Sequence, residues 1–127
     1  MASKNTARWK NAEKQGSSIF SKFLIPSERI SRAGNYAVST YDISLKEHPR
    51  YKIDSKYSQA GFKTSRMLDI VQDKYCKEPL DIGILLTKGY RETGMRATVD
   101  ADFLAALLSY WLGYGTKEEL EKIYYDK

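Results

Sequence analysis

Residues 36–57 read Tyr-Ala-Val-Ser-Thr-Tyr-Asp-Ile-Ser-Leu-Lys-Glu-His-Pro-Arg-Tyr-Lys-Ile-Asp-Ser-Lys-Tyr. β-Forming residues crowd 36–45 and 51–57, and the polar run Lys46–Arg50 separates them as a hairpin loop. If the two strands pair antiparallel around His48, residues whose numbers sum to 96 face each other, which sets Asp42 opposite Asp54. Lys56 then projects from the same face as Asp54, because side chains alternate along a strand. Carboxylates directly opposed on one sheet face repel. A hard divalent cation such as Mg²⁺ resolves that cost, since it prefers carboxylate oxygens. A lysine beside such a pair can orient water or stabilise charge on a phosphate in transfer. The same residues also fit a solvated face on which Lys56 simply neutralises two acids, and the spacing does not choose between the two.

Working outward, Ala12, Ile19, Phe20, Phe23 and Leu24 predict a helix from Trp9 to Leu24, with Gly16 weakening it and Pro26 ending it. Residues 28–33 predict a short strand running into a Gly34-Asn35 turn. Met67, Leu68, Ile70, Val71 and Tyr75 give residues 63–77 a helical period, with Thr64 or Ser65 as cap and Pro79 as breaker. The apolar run 80–87 suits a central buried strand. A hairpin across 88–94 returns as strand 95–99. Asp100 caps an apolar helix, 101–112, that stops at Gly113-Tyr114-Gly115, and Thr116-Lys-Glu-Glu opens a last helix as a capping box. The element order is α-β-β-β-α-β-β-α-α, an α/β fold with a mixed five-stranded sheet flanked by helices.

The chain has 127 residues, suited to a single domain over 1–127, with the polar residues 1–8 expected to be disordered. Its one cysteine, Cys76, excludes an internal disulfide, and its one histidine, His48, excludes a two-histidine site. No apolar run reaches membrane-spanning length, and the N-terminus lacks an apolar signal core, so a cytoplasmic protein with no membrane partner is the expectation. Residues 1–63 hold 12 Lys/Arg against 5 Asp/Glu, a net of +7, whereas 64–127 hold 9 against 11, a net of −2. A basic half points to a polyanion.

The segments Arg29-Ile-Ser-Arg-Ala-Gly34, Tyr41-Asp-Ile-Ser44 and Tyr51-Lys-Ile-Asp-Ser-Lys56 resemble the PD-(D/E)xK nuclease superfamily, and within it the archaeal and viral Holliday-junction resolvases. The resemblance runs through about residue 112 and implies a restriction-endonuclease-like core. It implies that Asp42 and Asp54 are metal-binding carboxylates, that Lys56 is the motif lysine, and that Glu13 on the first helix is the helical glutamate. It further implies Mg²⁺, with Mn²⁺ able to substitute, and in-line attack leaving a 5′-phosphate. The chain departs from the family in having Asp54 where a glutamate is usual and Tyr41 where a proline is usual.

The expected function is a metal-dependent, structure-selective endodeoxyribonuclease that resolves four-way junctions in branched DNA. The alternatives are a nicking, repair or homing nuclease on the same fold, and a non-catalytic DNA-binding protein on a related one. Phosphate contacts fall to Arg29, Arg32, Lys10, Lys14, Lys52 and Lys63, with Gln59 as a further backbone contact. The family also implies a homodimer. Phe103, Leu104, Leu107, Leu108, Trp111 and Leu112 cover more than one face of their helix, as a helix packed on both sheet and partner would; burial in the chain's own core explains them equally.

Overall fold

The computed structural model describes residues 4–30, 42–58, 61 and 63–126, with side chains from Lys10 onward. Its elements are α1 (Lys4–Lys22), β1 (Ser27–Arg29), β2 (Ile43–Leu45), β3 (Tyr51–Ser58), α2 (Thr64–Tyr75), β4 (Ile82–Gly89), β5 (Arg96–Thr98), α3 (Ala101–Trp111) and α4 (Lys117–Tyr125). This is the expected order. The five strands form one mixed sheet in sequential order, β1-β2-β3-β4-β5. β1, β2 and β3 run as an antiparallel meander, β3 and β4 are parallel, and β4 and β5 are antiparallel. A parallel neighbour needs a crossover, and α2 supplies it.

β2 and β3 register at Ile43 opposite Ile53, the pairing expected from the sum rule, so Asp42 and Asp54 take the next positions on one face. On the opposite face Ile43, Leu45, Ile53, Ile84 and Leu86 build the main core with Phe20 and Met95. Leu85 points the other way and packs with Leu68 and Val71 of α2. Each such aliphatic side chain contributes roughly 1.5–3 kcal/mol through burial.

α1 lies close on the sheet because of Gly16: a Cβ there would sit 2.7 Å from Ile43 Cδ1 and 3.0 Å from Leu86 Cδ1. The residue that weakens the helix locally is thus the one that lets it dock. The helix begins at Lys4, ahead of the expected Trp9, so residues 4–8, expected to be disordered, are helical. It stops at Lys22, short of Pro26. Ile25 N–H donates to the Phe20 carbonyl at 2.9 Å while Leu24 adopts φ +72°, a helix-stop geometry that usually falls to glycine. The end of α3 uses glycine for the same task, with Gly113 at φ +82°.

Other boundaries differ modestly. β1 covers Ser27–Arg29, starting one residue before the expected 28 and ending before Ile30; residues 31–33 and the Gly34-Asn35 turn lie outside the described residues, as does the stretch 36–41 expected to begin β2. β4 is shifted to Ile82–Gly89. Lys63, not Thr64 or Ser65, occupies the N-cap of α2, without a side-chain bond. Asp100 holds the N-cap position of α3 but makes no cap bond, and its Oδ2 accepts from Gln72 Nε2 at 2.9 Å. The Thr116–Glu119 capping box forms as expected.

α3 and α4 pack on each other and join the core through Phe103, Tyr124 and Tyr125. Phe103 is the buried residue of α3, at 8 % exposure. Leu104, Leu107, Leu108, Trp111 and Leu112, read as covering either core or partner, stay about half or more exposed, and burial in the chain's own core is ruled out for them.

Candidate functional site

Asp42 and Asp54 are 1 % and 2 % exposed, so the solvated-face reading of this pair is overturned. Asp42 is fixed by backbone on both sides: its N–H donates to the Ile53 carbonyl at 3.0 Å, and its own carbonyl accepts from Ile30 N–H at 2.8 Å. Beyond the Ile43–Ile53 pair, the next N–H of β3 on its β2 edge is that of Ser55. It donates to Asp42 Oδ2 at 2.9 Å, so a side chain replaces a ladder bond where β2 and β3 part.

The two carboxyl groups are pressed together. Burial, then the hydrogen bond and the charge of Asp54, push Asp42 up to about 8; the Ser55 N–H pulls the other way, and Glu13 adds a smaller push up. Asp54 Oδ2 lies 3.1 Å from Lys56 Nζ, with the lysine side chain 38 % exposed and reaching in from the rim. Asp54 Oδ1 is buried with no hydrogen-bond partner among the described residues. A buried carboxylate oxygen left open beside a second carboxyl group is an unmet demand for a proton or a cation.

Glu13 is buried at 6 % exposure, on the sheet side of α1 near Gly16. Arg29 Nε approaches its Oε2 at 3.5 Å. Glu13 is thus within electrostatic reach of Asp42 but held by Arg29. Among the described residues no three side chains of His, Cys, Asp or Glu converge closely enough to hold a metal ion. The protein donors that a hard cation could use here are two carboxylates, Asp42 and Asp54, with Glu13 near Asp42. That donor set suits Mg²⁺, which is usually held by one or two carboxylates together with water and substrate phosphates.

Of the expected phosphate contacts, Arg29 and Lys14 line one groove along α1, and Lys10 is exposed one turn earlier on the same helix. Lys52 shares the face of Asp54 but lies toward Cys76, away from Lys56, and Lys63 is exposed at the start of α2. Arg32 and Gln59 lie outside the described residues. The Ser55 N–H escaped sequence reading because any non-proline residue supplies it. Lys22 and the serines that share the groove were missed as well, although the spacing Lys14-Ser18-Lys22 places three polar residues on one helical stripe.

His48 is exposed in the loop, edge-on to Tyr51 at 6.4 Å. Cys76 is half-buried beside Gly83, and burial raises its thiol pKa. No helix among the described residues is long and apolar enough to cross a membrane. No protein-family model, no curated protein and no solved structure matches the chain.

Proposed function

We propose that the protein is a divalent-metal-dependent endodeoxyribonuclease selective for branched DNA, acting as a junction resolvase. The observation that carries this reading is a buried Asp42–Asp54 pair with an open carboxylate oxygen and Lys56 at its rim. Ion pairs that serve only stability satisfy their oxygens. This pair leaves Asp54 Oδ1 without a hydrogen-bond partner among the described residues, and a bound cation is one way to meet it. The mixed five-stranded sheet flanked by helices is the α/β class expected from the sequence.

When bound, Mg²⁺ or Mn²⁺ on Asp42 and Asp54 supplies Lewis acidity toward a scissile phosphate and makes water a better nucleophile. The chain's own residues do the rest. Ser55 N–H and the backbone bonds of Asp42 hold the first carboxylate in place without cost at the moment of reaction. Lys56, anchored on Asp54, presents its ammonium group at the mouth, where it orients the attacking water and offsets charge gathering on phosphate. Glu13, restrained by Arg29, keeps further negative charge near Asp42 and strengthens the pull on a cation.

A second copy of the chain is part of this proposal. Leu107, Leu108, Trp111, Leu112 and Tyr114 on and after α3 are between 48 % and 84 % exposed. Monomeric proteins rarely expose contiguous apolar patches beyond a few hundred Å². Two copies related by a two-fold axis would cover that surface and set two sites against paired strands.

The deciding experiment is a cleavage panel of four-way junction, flap, nicked and linear duplex DNA with Mg²⁺ or Mn²⁺. The junction should be cut fastest, and Asp42→Asn and Lys56→Ala should abolish cutting while DNA binding remains. Preference for a nick, flap or duplex would move the protein to a nicking, repair or homing role. DNA binding without cutting of any substrate would make it a non-catalytic binding protein.

A further inference from the structure

An open groove runs along α1, lined by Lys14, Ser17, Ser18, Ser21, Lys22 and Arg29. Ser27 builds it. Its hydroxyl lies 3.2 Å from Ser17 Oγ and 3.1 Å from Ser21 Oγ, and it donates to the Ser17 carbonyl at 2.7 Å. These bonds sew the start of β1 to the flank of α1. Arg29, two residues beyond Ser27, leaves the strand on the same face and becomes the groove wall. Ser18 folds back onto the Lys14 carbonyl at 2.9 Å, so every serine in the floor stays low.

The cations are available. Lys14 and Lys22 are exposed, and neither has a carboxylate partner among the described residues. Arg29 spends only Nε on Glu13, at 3.5 Å, and its remaining donors have no partner among the described residues. An arginine fork with free donors suits a phosphate. Lys14 and Lys22 are eight residues apart, about 12 Å along a helix axis, which matches the rise of three to four nucleotides of one strand.

We infer that this serine-floored groove is a phosphate track: it holds one strand of the DNA backbone on the α1 side of the sheet, with Arg29 as its wall beside Glu13. The inference rests on the nuclease reading for the identity of its ligand. It adds Lys22 and the serine floor to the phosphate contacts expected from the sequence. The small hydroxyl side chains matter because a larger floor would lift the backbone away from three cations. A track of this kind reads no sequence, as suits an enzyme that recognises branching rather than bases.

The test is fluorescence anisotropy of a labelled four-way junction titrated in EDTA over a range of KCl, with cleavage measured separately in Mn²⁺. Lys14→Gln/Lys22→Gln should flatten the slope of log K against log salt by about 1.8, from about 0.9 for each phosphate that is no longer neutralised. Lys74→Gln/Lys122→Gln, which removes the same charge elsewhere, should leave the slope unchanged. Ser18→Leu should weaken binding several-fold with no change in net charge. An unchanged slope in the Lys14/Lys22 variant, with wild-type cleavage intact, overturns the track and leaves the nuclease reading standing. A flattened slope in a protein that cuts no DNA supports the track and overturns the nuclease reading. Failure of the wild-type protein to bind DNA overturns both.

Discussion

Asp42→Asn should make the protein more stable while removing its activity. In the folded protein Asp42 titrates near 8 rather than 3.8, because it is buried against Asp54. The unfolded chain gives up this proton at a much lower pH than the folded one. Folding therefore favours the protonated form, and stability is full below the unfolded value. It declines as pH rises through the window from about 4 to about 8. At pH 7 the cost to wild type is about 4 kcal/mol, at ~1.4 kcal/mol for each of roughly three pH units. Asparagine keeps the shape and carries no charge. Its carbonyl can accept from Ser55 N–H, and its amide can donate toward Asp54. The variant should thus gain roughly 2–4 kcal/mol at pH 7 and nothing at pH 3.5.

Urea unfolding in EDTA at pH 3.5, 5, 7 and 8 measures this directly, with the midpoint compared at constant m. The gain should grow by up to ~1.4 kcal/mol per pH unit across the window. Adding Mn²⁺ at pH 7 should raise wild-type stability and shrink the difference, because an ion that binds only the folded state stabilises it by mass action. An Asp42→Asn protein equal to or weaker than wild type at pH 7, or a difference flat with pH, would refute the account of a strained carboxylate pair.

Four further outcomes follow from the structure. Lys56→Ala should lower junction cleavage by about 10² or more while anisotropy shows DNA affinity changed less than about threefold. Gly16→Ala should lower the thermal midpoint despite a helix-propensity gain of about 1 kcal/mol, since its Cβ meets Ile43 Cδ1 at 2.7 Å and overpacking costs about 1–3 kcal/mol. Leu24→Gly should raise stability by about 0.5–1 kcal/mol in calorimetry, because Leu24 sits at φ +72°. Leu108→Glu/Trp111→Glu should shift the sedimenting mass from a dimer to the 14.6 kDa monomer, and a wild type already at that mass would remove the second copy from the proposal.

What was legible in the sequence is what period and local chemistry encode. The register of β2 on β3 followed from centring the hairpin on His48, and the structure holds it because a one-residue slip would expose Ile43 and Ile53. The capping box at Thr116 and the stop at Gly113 are local and were read correctly. Tertiary packing decided the rest. Gly16 looked like a flaw in a helix, and only the sheet beneath it explains its presence. Asp100 looked like a cap, yet Gln72 of a distant helix takes its carboxylate. In the site, opposition of the two aspartates was readable from spacing, but their burial was not. Burial depends on β4 and the helices closing over the sheet, and it separates a charged surface from a site.

The charge distribution also separates the two proposed surfaces. Residues 100–127 hold six Asp/Glu and three Lys/Arg, a net of −3, on the same hairpin that exposes the largest apolar side chains. A phosphate backbone is repelled from such a surface, whereas another protein surface is not. The groove on α1 has the opposite character: Lys14, Lys22 and Arg29 outnumber the one buried carboxylate beside them, Glu13. The DNA-binding and self-association surfaces proposed here would therefore not compete for the same residues. Loss of self-association through Leu108 and Trp111 should leave the salt slope of each protomer's binding intact and abolish only the pairing of cuts on opposite strands. Loss of Lys14 and Lys22 should do the reverse.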